Sequence, residues 1–181
     1  VEQALSLAPS GAAIFEVGVG SGALICSILA ERDDLHGAGN DICIRALRVA
    51  RDNARCLGVS GRLLLFAGRG CRGLGGGFQV IVANPPYIPD AHEDLLDDDV
   101  RLYEPRRALF GGKEGLDIVQ EIITGAPEAL AAGGLLLMEA GVGQQGAVEA
   151  LVKARKGLAV KAWVKDLAGI PRVVIMERVH G

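Results

Sequence analysis

Short apolar runs alternate with stretches of helical periodicity along nearly the whole chain. The run "AAIFEVG" closes in a glycine cluster, and "ALICSILAERDD" behind it spaces Leu24, Ile28 and Leu29 as a helix does. Next, "LHGAGND" ends in an acid, "ICIRALRVARDNARCLG" reads as an amphipathic helix closed by Gly58, and "RLLLFAG" is a third apolar run. A glycine-rich loop from Gly68 to Gly77 leads to "FQVIVANPPY", then to an acidic segment and a helix predicted over 116–131. "GGLLLMEAG" supplies a further strand, "QQGAVEALVKARK" a further helix, and "LAVKAWVKD" and "RVVIMERV" the last two strands.

This alternation predicts a mostly parallel sheet with helices on both faces. The connection "LAGIP" is too short for a crossover, so the last two strands form an antiparallel hairpin at one edge. Seven strands ending this way define an α/β, Rossmann-like fold. Half of the 181 residues are hydrophobic, with one Trp, four Phe and two Tyr, which suffices for one mainly aliphatic core and hence a single domain over 1–181.

A net charge of −3 supplies no overall positive field to draw in a polyanion. Cys26, Cys43, Cys56 and Cys71 form no C-x-x-C pair, and His36, His92 and His180 are scattered, so no metal site is expected and the thiols suit a reducing compartment. No apolar run is long enough to cross a bilayer as a helix. The chain opens without Met inside the helical pattern "VEQALSL", as a fragment or a processed chain would. Trp163 and Met176 read as packing in the last two strands.

Two features carry chemistry. In "EVGVGSGA", Gly18, Gly20 and Gly22 let the chain turn sharply out of the first strand and bring its backbone close to a ligand at a helix N-terminus. Gly18, Gly20 and Ala23 also meet the looser dinucleotide pattern, so the turn alone does not separate a nicotinamide cofactor from S-adenosylmethionine. About 20 residues on, Asp41 ends the second strand where a carboxylate can accept both ribose hydroxyls. Together they predict a nucleoside-bearing cofactor without a 2′-phosphate.

The second feature is "NPPY" at the end of the fourth strand. Pro85 and Pro86 end the ladder, and Pro85 also restricts Asn84, leaving a rigid ledge beside the crevice of such a sheet. The Asn84 side-chain oxygen and the Pro85 carbonyl can each accept one N–H of a planar –NH2 group, with Tyr87 packing on its flat face. An amide or exocyclic amine, whose lone pair is delocalised, needs such orientation to attack a methyl donor.

In "FEVGVGSGA", "NDICIRALRVARDNA", "VIVANPPYIP", "VRLYEPRRALFGGKEGLD", "LLLMEAGVGQ" and "KDLAGIPRVV", taken in order, the chain resembles the HemK/PrmC family, the S-adenosylmethionine-dependent N5-glutamine methyltransferases of peptide chain release factors. NPPY alone is shared with enzymes that methylate amino groups of nucleic-acid bases, whereas "YEPRRALFGGKEGLD" resembles the glutamine enzymes. The resemblance implies a class I methyltransferase fold, a cofactor site formed by Glu16, Gly18, Gly20, Gly22, Asp41, Ile42 and Asn84, and a catalytic ledge of Asn84, Pro85, Pro86 and Tyr87. It further implies S-adenosylhomocysteine as product, no metal, a release factor carrying Gly-Gly-Gln as partner, and a cytoplasmic monomer without a membrane or nucleic-acid partner. "GQQ" at 143–145 has no expected relation to that tip.

Three departures stand out. Glu16 takes a place where Asp is commoner. "FAGRG" offers only Gly68, Arg69 and Gly70 where the family has an acidic or aromatic adenine contact, so adenine would be read by backbone. The family's N-terminal helical domain and its RPETE-like segment do not precede Val1.

Asp90, Glu93, Asp94, Asp97, Asp98 and Asp99 crowd the segment after NPPY, which argues against phosphates there and suits either solvent or the basic surface of a protein substrate. Methylation of a nucleic-acid base is the alternative reading. A nicotinamide oxidoreductase explains nothing about NPPY, and a non-catalytic cofactor-binding domain would bind without turnover. Arg69, Lys113, Arg106 and Arg107 are possible substrate contacts, with surface salt bridging the ordinary fate of such residues.

Overall fold

In a computed structural model, residues 1–91 and 105–179 are described. The acidic residues Glu93, Asp94 and Asp97 to Asp99, together with His92, His180 and the start of the "VRLYEPRR" block, lie outside the described residues, as does the side chain of Arg107.

In chain order the elements are α1 (Glu2–Leu7), β1 (Ala13–Val17), α2 (Ala23–Glu31), β2 (His36–Asp41), α3 (Ile44–Cys56), β3 (Leu63–Ala67) and β4 (Phe78–Ala83). They continue with α4 (Arg106–Leu109), α5 (Asp117–Ala129), β5 (Leu130–Glu139), α6 (Gln145–Lys153), β6 (Leu158–Lys165) and β7 (Pro171–Arg178). One sheet of seven strands runs β3-β2-β1-β4-β5-β7-β6. Pairings from β3 through β5 are parallel, and β7 is antiparallel to both β5 and β6.

The predicted α/β architecture is thus present, hairpin included, with β6 at the edge and β7 inserted between it and β5. The reason lies in burial. Val174, Ile175 and Met176 of β7 are buried, whereas β6 leaves Ala159, Lys161 and Ala162 exposed, so only β7 suits a central place. The helix predicted over 116–131 is α5, and Leu130 already belongs to β5. Trp163 packs partly buried against the core and donates its indole N–H to Glu149 Oε1 at 2.9 Å, while Met176 is fully buried.

Consecutive residues of β1 serve opposite faces. Phe15 joins Ile81, Leu136, Ile122 and Ile123 beneath α5 and α6, and Ile14 joins Val80, Val82, Ile25, Ile28 and Leu29 beneath α2 and α3. Burial on both faces is what a parallel centre requires. Strand order reverses between β1 and β4, which opens a crevice at their carboxyl ends. Both sequence features end there. None of the four cysteines is in a disulfide, and Cys26 and Cys71 are buried. No helix among the described residues is long and apolar enough to cross a membrane.

Candidate active site

The glycine turn and Asp41 form one structural unit. Gly18, Gly20 and Gly22 all take left-handed φ, +71°, +54° and +81°, which is why glycine stands at each. Gly20 N–H donates to Asp41 Oδ2 at 2.9 Å and Cys43 N–H to Oδ1 at 2.7 Å, so the acid ending β2 is clamped to the turn leaving β1. Space beside Gly18 and Gly20 is open, whereas a Cβ at Gly22 would meet that of Ala50 at 3.0 Å. Gly22 therefore serves close packing of α2 on α3.

Glu16 is buried at the start of α2, and Ile25 N–H donates to its Oε2 at 3.0 Å. Burial raises its pKa to about 8, against the Ile25 N–H and with a smaller push from the charge of Asp41. The nearby Cys26 thiol is pushed up by burial and by Glu16. Between an unfolded carboxyl at 4.5 and a folded one near 8, the native state binds the extra proton, so stability falls as pH rises through that window. Chemical denaturation at pH 5.5 and pH 8 will show this loss, at most roughly 1.4 kcal/mol per pH unit, and Glu16→Gln will flatten it.

On the other side of the crevice, Asn84 leaves β4 exposed and its side chain makes no hydrogen bond among the described residues. The ledge behind it is braced by the glycine block at 111–115. Ile88 N–H donates to Leu109 O, Gly111 N–H to Ile88 O and Asp90 N–H to Gly112 O, each at 3.0 Å. Gly111 lies against the Pro86 carbonyl and Gly115 against that of Tyr87, so close that neither position has room for a Cβ. Gln144 completes the brace, donating from Nε2 to Tyr87 O at 2.9 Å while its Oε1 accepts from Gly141 N–H at 2.8 Å.

Glu16, Gly18, Gly20, Asp41 and Ile42 line one cavity of about 780 Å³ together with Asn84, Pro85 and Pro86. Gly22 and Tyr87 lie off its wall. Gly68, Arg69 and Gly70 also line it, and Asn40 Nδ2 fixes this stretch by donating to Gly70 O at 2.9 Å. The Arg69 side chain is turned to Glu121, with Nε at 2.8 Å from Oε2 and Nη2 at 2.7 Å. Arg106 lies over the Phe110 ring, and Lys113 is exposed.

Asn40 and Glu139 of the cavity wall, and Gln144 and Arg172 beside the ledge, are not singled out by the sequence pattern. The legible signal is slight: Glu139 closes the β5 run as Asp41 closes β2. The cavity fits a cationic nucleoside cofactor on two counts. Asn40 Oδ1, buried at the wall, has no partner among the described residues, and the carboxylate of Asp41 lines the cavity beyond the paired Arg69 and Glu121.

This sheet, with its glycine turn and the acid that ends β2, is the Rossmann-like fold of class I S-adenosylmethionine-dependent methyltransferases. A methyltransferase from Pyrococcus furiosus matches at a TM-score of 0.70 and 18% identity, over 97% of this chain and 78% of that one. An RNA methyltransferase from Salinibacter ruber in complex with S-adenosyl-L-homocysteine matches at 0.59 and 16%, over 98% and 88%.

Over most of its length the chain is, more particularly, similar to proteins named release factor glutamine methyltransferase. It is 40% identical over 179 residues to the release factor glutamine methyltransferase of Bradyrhizobium diazoefficiens, covering 96% of this chain and 60% of that protein. The corresponding Caulobacter vibrioides protein is 42% identical over 163 residues, 90% of this chain and 56% of that one. The chain thus spans about three fifths of the length of these curated relatives. No family model matches it.

Proposed function

We propose that the chain transfers a methyl group from S-adenosylmethionine to the side-chain amide nitrogen of a protein glutamine, that of the Gly-Gly-Gln tip of a peptide chain release factor. The observation that carries this reading is the single cavity joining the glycine turn and Asp41 to Asn84 and Pro85. The curated relatives support the glutamine over a nucleic-acid base, since they are named for it. Residues 1–181 act as the catalytic domain, a cytoplasmic monomer that needs no metal and has no membrane or nucleic-acid partner.

Gly18, Gly20 and Gly22 shape the cofactor turn, Asp41 takes the ribose, Ile42 packs beside it, Glu16 lies near the methionine end and backbone at 68–70 faces adenine. The cofactor supplies an electrophilic methyl on a sulfonium. Asn84 Oδ1 and the Pro85 carbonyl each accept one amide N–H, turning the nitrogen toward that methyl, while Tyr87 flanks the amide plane; as the N–C bond formed, the methyl–sulfur bond would break to leave S-adenosylhomocysteine, and one amide proton would pass to solvent. Neutral hydrogen bonds contribute about 0.5 to 1.5 kcal/mol each, too little to drive the transfer. Orientation by a rigid ledge supplies the rest, on the order of 7 to 11 kcal/mol in well-placed systems.

Two measurements test the reading. In calorimetric titration the chain binds S-adenosylmethionine saturably and NADH not at all. Labelled methyl then enters a release factor bearing Gly-Gly-Gln and fails to enter its Gln→Ala variant. Equal labelling of both proteins, or of RNA, refutes the glutamine assignment.

A further inference from the structure

We infer that Glu139 and Arg172 are positioning residues for methyl transfer, acting through Tyr87 to hold the amide-gripping ledge in register with the sheet. The inference rests on the glutamine-methylating reading above and gives a role to two side chains outside the NPPY motif.

Three groups close a ring of hydrogen bonds. Tyr87 hydroxyl donates to Glu139 Oε1 at 3.0 Å, and Arg172 Nη2 donates both to the Tyr87 hydroxyl and to Glu139 Oε1, each at 2.9 Å. The Arg172 guanidinium also lies over the tyrosine ring, 5.4 Å from its centroid. Glu139 ends β5 beside Val173, the neighbour of Arg172 on β7, so the ring ties the segment leaving β4 to two further strands.

Tyr87 is therefore fixed at both ends, its hydroxyl by Glu139 and Arg172 and its carbonyl by Gln144. Between that anchor and Asn84 stand only Pro85 and Pro86, whose locked φ transmits rotation of Tyr87 to the two acceptors. The Arg172 and Glu139 side chains are 23% and 30% exposed, sheltered enough for charge-assisted bonds to exceed an ordinary surface pair. Burial and the neighbouring Glu139 push the Tyr87 phenol upward, which keeps it a proton donor at neutral pH. A pair serving stability alone would need no contact with the ledge, and apolar side chains would serve as well.

The test compares the wild-type protein with Arg172→Met, Arg172→Lys, Tyr87→Phe and the Arg172→Met/Tyr87→Phe double variant. Release-factor methylation, S-adenosylmethionine affinity and Tyr87 ring flipping by aromatic NMR are followed. Arg172→Met lowers kcat by about tenfold to a hundredfold, the scale of a hydrogen bond to a charged group, while cofactor affinity moves by less than about threefold. Arg172→Lys restores part of the loss. Once the hydroxyl is gone in Tyr87→Phe, adding Arg172→Met changes kcat by no more than about twofold, because Arg172 acts on the ledge through that hydroxyl.

Unchanged kcat, a purely additive loss, or a change confined to KM overturns the inference. The Tyr87 ring flips faster in Arg172→Met, and unaltered flipping overturns the inference whatever the substrate. Wild-type protein that fails to label the release factor overturns the glutamine reading instead, and ring flipping still decides the positioning role.

Discussion

Asn84→Ala lowers the single-turnover rate of glutamine methylation by about a hundredfold to a thousandfold, the range for losing one preorganised hydrogen-bonding group at a reacting centre. Affinity for S-adenosylmethionine, measured by calorimetry, shifts by no more than about threefold, because the glycine turn and Asp41 are untouched. The separation is clean for a structural reason. Asn84 is exposed and makes no hydrogen bond among the described residues, so truncation orphans no buried partner and stability stays within about 0.5 kcal/mol. An equal loss of cofactor binding would mean that Asn84 serves mainly the cofactor and that the amide is oriented by something else.

The features legible in the sequence are those written locally. Glycine at 18, 20 and 22 announces left-handed backbone, paired prolines announce a strand end, and period-two or helical spacing announces each element. The bond between Asp41 and Gly20 N–H could be anticipated only because strand order in such folds brings the first two carboxyl ends together. Insertion of β7 beside β5 was less plain, yet the uninterrupted "VVIM" against the polar-punctuated "LAVKAWVKD" held the clue, since a central strand must be apolar on both faces.

Glu139, Gln144, Arg172 and Asn40 were not legible for a different reason. Their partners lie tens of residues away, and no period or local spacing encodes a bond between Arg172 and Tyr87 across 85 positions. The glycine block at 111–115 falls between these cases. In the sequence it is a mark of family resemblance, and the structure gives it a physical reason, because glycine is required where one loop presses its Cα atoms against the backbone of the ledge.

This close approach makes Gly115→Ala a strongly disruptive single-methyl change. Gly115 has φ +69°, and an added Cβ would enter the space of the Tyr87 carbonyl oxygen and come within 3.0 Å of Gln144 Nε2. Backbone strain alone does not measure the effect, so the comparison is Gly58→Ala, at φ +71° with open space around it. Both variants carry the left-handed penalty of about 1 to 2 kcal/mol, and in Gly58→Ala that is the whole effect, with methylation unchanged. In Gly115→Ala the clash is with backbone rather than a movable side chain. Either the fold absorbs it, at about 3 kcal/mol or more by urea denaturation, or the Tyr87 carbonyl moves and kcat falls by about a hundredfold. S-adenosylmethionine binding survives in the folded variant, since the bracket stands across the crevice from the glycine turn. Should Gly115→Ala match Gly58→Ala in both stability and rate, the glycine block is not a bracket, and the rigidity of the ledge must come from its prolines alone.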